Sequence, residues 1–154
     1  MRYGLLSDVH ANLQALRATV EELRRVGVDR WIVAGDLVGY GAQPNECIEV
    51  VAELDALCVV GNHDLIALGQ LCDARCVRLA RNSLRWTRDV LAADSRSFLA
   101  ALPVCAAREG VGPIGFKRSM ICACWHMLAT AEIYNDLGGD YYARRDPNAR
   151  PNAS

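Results

Sequence analysis

Three short apolar runs, each ending in a polar cluster, alternate with two longer stretches in which apolar positions recur every three or four residues. The runs are Tyr3–Leu6, Arg30–Ala34 and Leu57–Val60, and their length and β-type content predict strands. Between the first two, Leu13, Leu16, Val20 and Leu23 fall on one stripe, with Glu21, Glu22, Arg24 and Arg25 outside it. That pattern predicts an amphipathic helix over Asn12–Val26, ended by Gly27 as a C′ glycine. Between the second and third runs, Ile48, Val51 and Leu54 predict a helix over Asn45–Leu54, with Pro44 where a first helical residue belongs. Strand–helix–strand–helix–strand implies parallel strands joined by right-handed crossovers, an α/β fold.

Residues Leu65 to Leu102 read as mostly helical. Ala74 to Leu91 carries Val77, Leu84 and Leu91 at heptad spacing, with Trp86 nearby, and Ser95 is placed to cap a short helix through Ala101 that Pro103 stops. Beyond Pro103 the pattern changes. Glu109 to Gly115 is glycine-rich and breaks it, Ser119 to Ile133 is densely apolar and predicts a helix, and Asp146 to Ser154 is expected to be loose.

Composition narrows the picture. A chain of 154 residues suggests one domain. The net charge is −1, with 12 basic and 13 acidic residues up to position 108 and 5 of each after it. Neither part has the basic excess of a nucleic-acid or membrane-surface binder. No apolar run approaches the roughly 18 residues of a membrane span. The seven cysteines are scattered, and Met1-Arg2-Tyr3-Gly4 leads straight into the first strand without a leader. We therefore expect reduced thiols and a cytoplasmic protein.

The chemistry gathers at the carboxyl ends of the three strands, where ligands bind in parallel sheets. The first offers Asp8 and His10, the second Asp36, and the third Asn62, His63 and Asp64. A carboxylate and an imidazole from one tight turn suit manganese, iron, cobalt or zinc better than calcium or magnesium. Asp36 can bridge two ions with its two oxygens. Asn62 offers a neutral carbonyl oxygen. His63 can instead act on substrate, donating a proton or stabilising oxyanion charge. Each cluster alone reads as a turn with a solvated acid; three at strand ends in one βαβαβ frame point to a shared site.

Asp8-x-His10, Gly35-Asp36-Leu-Val-Gly-Tyr-Gly41 and Gly61-Asn62-His63-Asp64 resemble the first three motifs of the calcineurin-like metallophosphoesterases. Ser7-Asp8-Val9-His10-Ala11-Asn12, Gly39-Tyr40-Gly41 with Pro44-Asn45-Glu46, and Asn82 to Pro103 are similar to the small bacterial branch of phosphodiesterases and diadenosine-tetraphosphatase-like proteins. The resemblance covers residues 1–108. It implies the N-terminal βαβαβ half of an α/β/β/α sandwich, truncated and followed by helices. It also implies two divalent ions, manganese first, with iron, cobalt, zinc or nickel as alternatives. Asp8, His10 and Asp36 would hold the first ion and Asp36 with Asn62 the second. His63 would assist the leaving group or bind phosphate oxygens. The implied reaction is hydrolysis of a phosphate mono- or diester, on a small molecule or a phosphoprotein, by a metal-bridging hydroxide attacking in line.

The family continues with further histidine motifs that close both metal sites. This chain has three histidines, and the only one after His63 is His126, in Cys124-Trp125-His126-Met127, which matches neither motif. Cys122, Cys124 and His126 spread around a helix rather than converge on a metal. The stretch from about 115 to 150, with Asp136-Leu-Gly-Gly-Asp140-Tyr-Tyr, resembles the C-terminal end of DEDD-type insertion-sequence transposases, to which no catalytic residue carries over. The expectation is a phosphoesterase part over 1–108, a divergent tail over 109–154, activity impaired by the missing histidines, and self-association through apolar surface. The first alternative is an inactive metal-binding remnant of a disrupted gene. The second, a transposase-derived nucleic-acid binder, is disfavoured by the balanced charge.

Overall fold

In a computed structural model of the chain, the structure describes residues 1–74, 76–108 and 112–115. They lie within one compact unit, Met1–Phe116. The strands β1 (Tyr3–Leu6), β2 (Arg30–Val33) and β3 (Leu57–Cys58) form a parallel sheet in the order β1-β2-β3. Tyr3 pairs with Arg30 and Leu6 with Val33, so β1 and β2 end level, and Cys58 ends beside Val33. That register brings the three polar clusters to one rim.

Helix α1 (Leu13–Arg25) buries Leu13, Leu16 and Val20, the expected stripe. Its N-cap is Asn12, whose Oδ1 accepts the Ala15 N–H at 3.1 Å. Gly27 follows the helix at φ +75°, a left-handed position that suits glycine. Helix α2 (Pro44–Ala52) starts on its proline and buries Cys47, Ile48 and Val51. Because α1 and α2 pack on each other, both crossovers share one face of the sheet. Replacing Asn12 with alanine is expected to cost about 1 kcal/mol, read as a lower urea midpoint with an unchanged slope.

Helices α3 (Asn62–Leu68), α4 (Arg78–Val90) and α5 (Ala93–Ala101) follow. The C-terminal carbonyls of α3 are tied down from α4, where Arg88 donates to the oxygens of Ile66 at 2.6 Å and Ala67 at 3.2 Å. Asn45 joins α2 to the α4–α5 turn, donating to the Val90 carbonyl at 3.0 Å and accepting the Ala92 N–H at 2.9 Å. The core combines Leu6 and Val33 of the sheet, Leu16, Val20, Ile48 and Val51 of the crossovers, and Leu84 and Leu99 of α4 and α5.

Several expectations are corrected. The α4 face that packs inward is Ala80, Leu84 and Thr87, and Val77 lies outside it, 70 % exposed. Leu84 and Leu91 of the expected stripe are buried, and Ala80 and Thr87 join Leu84 on the inward face. Ser95 does not cap α5; the helix begins at Ala93 after an extended Ala92, and Ser95 is buried inside it. Strand β3 is two residues long; beyond it the Val59 N–H still reaches the Val33 carbonyl at 3.0 Å, and on the opposite edge the Val60 N–H bonds the Pro103 carbonyl at 2.9 Å. The glycine-rich segment after Pro103 is not only a break. Strand β4 (Cys105–Arg108) pairs antiparallel with β5 (Gly112–Gly115), so strands as well as helices follow the βαβαβ part. The expected helix over 119–133, the loose end over 146–154 and the Cys122, Cys124 and His126 group lie outside the described residues.

Cys47 and Cys58 behave as small apolar residues. Burial pushes each thiol up to about 11, so both stay protonated at neutral pH. No helix among the described residues is long and apolar enough to cross a membrane.

Candidate metal centre

The sheet ends where backbone geometry becomes unusual. Asp8, His10, Ala11, Asp36 and Tyr40 all have φ between +50° and +61°, a region that non-glycine residues rarely occupy. Such conformations persist where the surroundings over-determine them, and here hydrogen bonds do so. Beyond β1 and β2 the two chains remain laddered. The N–H groups of Asp8, His10 and Ala11 donate to the carbonyls of Gly35 at 3.3 Å, Asp36 at 2.9 Å and Leu37 at 2.9 Å. The Gly41 N–H closes on the His10 carbonyl at 2.9 Å. A Cβ at Gly41 would collide with the carbonyl oxygens of His10 and Ala11, so only glycine lets this loop approach.

The ladder gathers three side chains. One ligand atom each from Asp8, His10 and Asp36 lie within 4.8 Å of one another. Asp8 is exposed, with Oδ1 3.7 Å from His10 Nε2, and the Ser7 hydroxyl donates to Asp8 Oδ2. His10 Nδ1 stands 3.3 Å from the Val38 carbonyl. A carbonyl only accepts, so this contact places the ring proton on Nδ1 and leaves Nε2 with its lone pair.

The third strand end meets this group through its backbone. The His63 N–H donates to Asp36 Oδ1 at 2.9 Å, which brings the first turn of α3, with Asn62 at its start, against the Asp36 carboxylate. The His63 ring lies 4.6 Å from the His10 ring, centroid to centroid. It is 8 % exposed and its Nδ1 is buried with no hydrogen-bond partner among the described residues. Burial holds the imidazole below its ordinary pKa; the Asp36 and Asp8 charges pull the other way and His10 adds to the lowering. On balance the surroundings favour the uncharged ring.

Two residues here were named in the sequence motifs without a role. Tyr40, half-exposed, sets its ring 4.9 Å from both His10 and His63. Its backbone N–H is held by the Ser83 hydroxyl of α4 at 2.9 Å. The only sequence signal was an aromatic between two glycines. Asp64 is the other. It is wholly buried and accepts backbone N–H groups from Asp36, Leu37, Val38 and Gly61. Burial pushes its carboxyl up to about 6, opposed by the Gly61, Val38 and Leu37 N–H donors and aided by the nearby Asp36 charge. A concavity of about 430 Å³ between α1 and α2, lined by Arg17, Arg24, Glu46, Glu49 and others, takes in none of these site residues.

The donors fit a divalent cation. Two carboxylates and an imidazole give an oxygen–nitrogen set that suits first-row metals, and two adjacent negative charges favour a bound cation over an empty site.

A family model described as calcineurin-like phosphoesterase matches residues 1–150, which extends past the 1–108 span of the recognisable motifs. The chain is 38 % identical over 101 residues to the uncharacterized protein MJ0912 of Methanocaldococcus jannaschii, covering 66 % of this chain and 42 % of that protein. Among solved structures, it is similar to a metallophosphoesterase from Sphaerobacter thermophilus at 40 % identity and a TM-score of 0.58, covering 70 % of this chain and 43 % of that one. It is also similar to a provisionally assigned diadenosine tetraphosphatase, at 27 % identity and a TM-score of 0.51, covering 68 % and 44 %. The chain thus spans under half the length of the relatives it matches.

Proposed function

The chain belongs to the calcineurin-like phosphoesterase family, and from that premise we propose that it forms the first part of a metal-dependent phosphoesterase site, with impaired turnover. The observation that carries this reading is the convergence of Asp8, His10 and Asp36 within 4.8 Å at the strand ends. In the proposal these three hold one divalent ion, and Asp36 with Asn62 holds a second. Manganese is the first choice, and a small-molecule phosphomono- or phosphodiester is the substrate class. The relation to a provisionally assigned diadenosine tetraphosphatase adds nucleotide phosphoesters to that class.

A bound divalent ion supplies positive charge that polarises phosphoryl oxygens and favours water as nucleophile at neutral pH. The remaining roles belong to the chain. Asp8 and Asp36 fix that charge at the strand rim. His10, with its proton committed to the Val38 carbonyl, presents Nε2. The Nδ1 of His63 is enclosed beside Gly39, so Nε2 is the nitrogen left to face substrate, where its N–H would donate a hydrogen bond to a phosphoryl or leaving oxygen. Tyr40, half-exposed, keeps its ring against both imidazoles.

Impairment is inferred from the histidine count. The chain has three, and His126, which matches neither of the later family motifs, lies outside the described residues. The test is hydrolysis of bis(4-nitrophenyl) phosphate by the full chain with Mn²⁺ and with chelator. Slow turnover that disappears with chelator is expected. Turnover unaffected by chelator would overturn the metal reading, and Mn²⁺ binding with no turnover would leave a metal-binding remnant in place of an enzyme.

A further inference from the structure

Asp64 sits in the first turn of α3, and its two oxygens are fully used. Leu37 and Val38 donate to Oδ1 at 2.9 and 3.1 Å, and Asp36 and Gly61 donate to Oδ2 at 2.9 and 2.8 Å. A carboxylate offers about four acceptor positions, so none is left for an ion. Three donors are consecutive residues of the loop after β2, and the fourth, Gly61, ends the loop after β3 as the N-cap of α3. The carbonyls of those three residues face the opposite way. Asp36 and Leu37 accept the N–H groups of His10 and Ala11, each at 2.9 Å, and the Val38 carbonyl faces His10 Nδ1 at 3.3 Å. Residues 36–38 therefore form a short ladder, with Asp64 along one edge and the turn after β1 along the other.

We propose that Asp64 is a positioning residue for the metal centre. By holding the N–H edge of residues 36–38 it places the Asp36 carboxylate, and through the carbonyl edge of the same residues it places the His10 ring. It touches neither ion nor substrate. The left-handed backbone of Asp36, at φ +55°, needs such an external restraint, and three N–H bonds to one buried carboxylate supply it. Outer groups that orient metal ligands in this way govern affinity as well as stability. The inference rests on the metal reading above.

The test is a Mn²⁺ titration of the full chain, followed by calorimetry and by the Mn²⁺ paramagnetic resonance spectrum, for wild type and Asp64→Asn. The amide sets an NH₂ group against two of the four donors. Well below both melting temperatures, affinity is expected to fall about 10–100-fold with a changed spectrum, which a merely structural residue would not cause. Unchanged affinity and spectrum would overturn the inference. Should Asp64→Asn not fold, hydrogen exchange on the wild type decides. Because coupling is reciprocal, saturating Mn²⁺ must slow exchange at residues 36–38 and 61, by about tenfold; unchanged exchange there overturns it. Absence of Mn²⁺ binding by the wild type would remove the metal reading and this inference with it. Binding that Asp64→Asn retains would remove this inference alone.

Discussion

Asp36→Asn is expected to lower Mn²⁺-dependent hydrolysis roughly a thousandfold, the rate equivalent of losing several kcal/mol of charge stabilisation, while leaving the protein folded. The substitution is nearly isosteric. Asparagine tolerates a left-handed φ better than most residues, so the +55° conformation is retained. The amide oxygen still accepts the His63 N–H now held by Oδ1, and the backbone N–H still donates to Asp64. What disappears is one negative charge and one anionic oxygen, the two properties that make Asp36 the proposed bridge between ions. The loss has a secondary sign. The Asp36 charge raises the His63 pKa against burial; without it, His63 moves lower still, and any limb of the pH–rate profile that reports His63 shifts to lower pH. Melting temperature and kcat/KM on the nitrophenyl diester check the two halves. A variant that keeps wild-type turnover would remove Asp36 from the site, and one that unfolds would make its role structural.

The strand ends were legible in the sequence because they obey local rules. An apolar run that stops at glycine and then shows acid or imidazole reads the same in sequence and in space, and Asp8, His10 and Asp36 do converge. Helices α1 and α2 were legible for the same reason: each buries a stripe of Leu, Ile or Val against the sheet. The failures lie where a distant partner decides. Nothing around Val60 announces that its N–H, on the edge away from β2, bonds the Pro103 carbonyl. Helix α4 buries Thr87 beside Ala80 and Leu84, and a threonine is what a hydrophobicity pattern scores as surface. Pro113 and its flanking glycines read as a breaker, yet pairing with β4 makes a strand. Within Gly61-Asn62-His63-Asp64 the sequence shows polar side chains in a row. It cannot show that Asp64 turns inward to backbone while His63 lies against His10, because the choice is made by N–H groups contributed from residues 36–38.

Gly61→Ala is expected to be among the most damaging single-methyl changes at the described glycines, for reasons of space and not of backbone conformation. Gly61 has φ −98° and ψ 173°, which any residue adopts. A Cβ there, however, would overlap the Asp36 backbone nitrogen and its Oδ1. Gly35 faces it, and a Cβ at Gly35 would stand 2.5 Å from the Gly61 nitrogen, so neither loop can retreat through the other. The loops after β2 and β3 must separate, straining the Asp36-to-Asp64 and His63-to-Asp36 hydrogen bonds, both 2.9 Å long. Overpacking costs about 1–3 kcal/mol and a lost bond to a charged group about 1.5–3 kcal/mol, so a loss of about 3–5 kcal/mol is expected. That is a large part of the roughly 5–15 kcal/mol that holds a domain folded. Gly69→Ala is the matched control. Its φ is +78° but the nearest atom to an added Cβ is 3.8 Å away, so it pays only the left-handed strain of about 1–2 kcal/mol. Urea melts should rank Gly61→Ala well below Gly69→Ala, and Mn²⁺ binding should be lost in the first and kept in the second. Equal losses in the two would mean that the contact between Gly61 and Asp36 is not what holds the strand ends together.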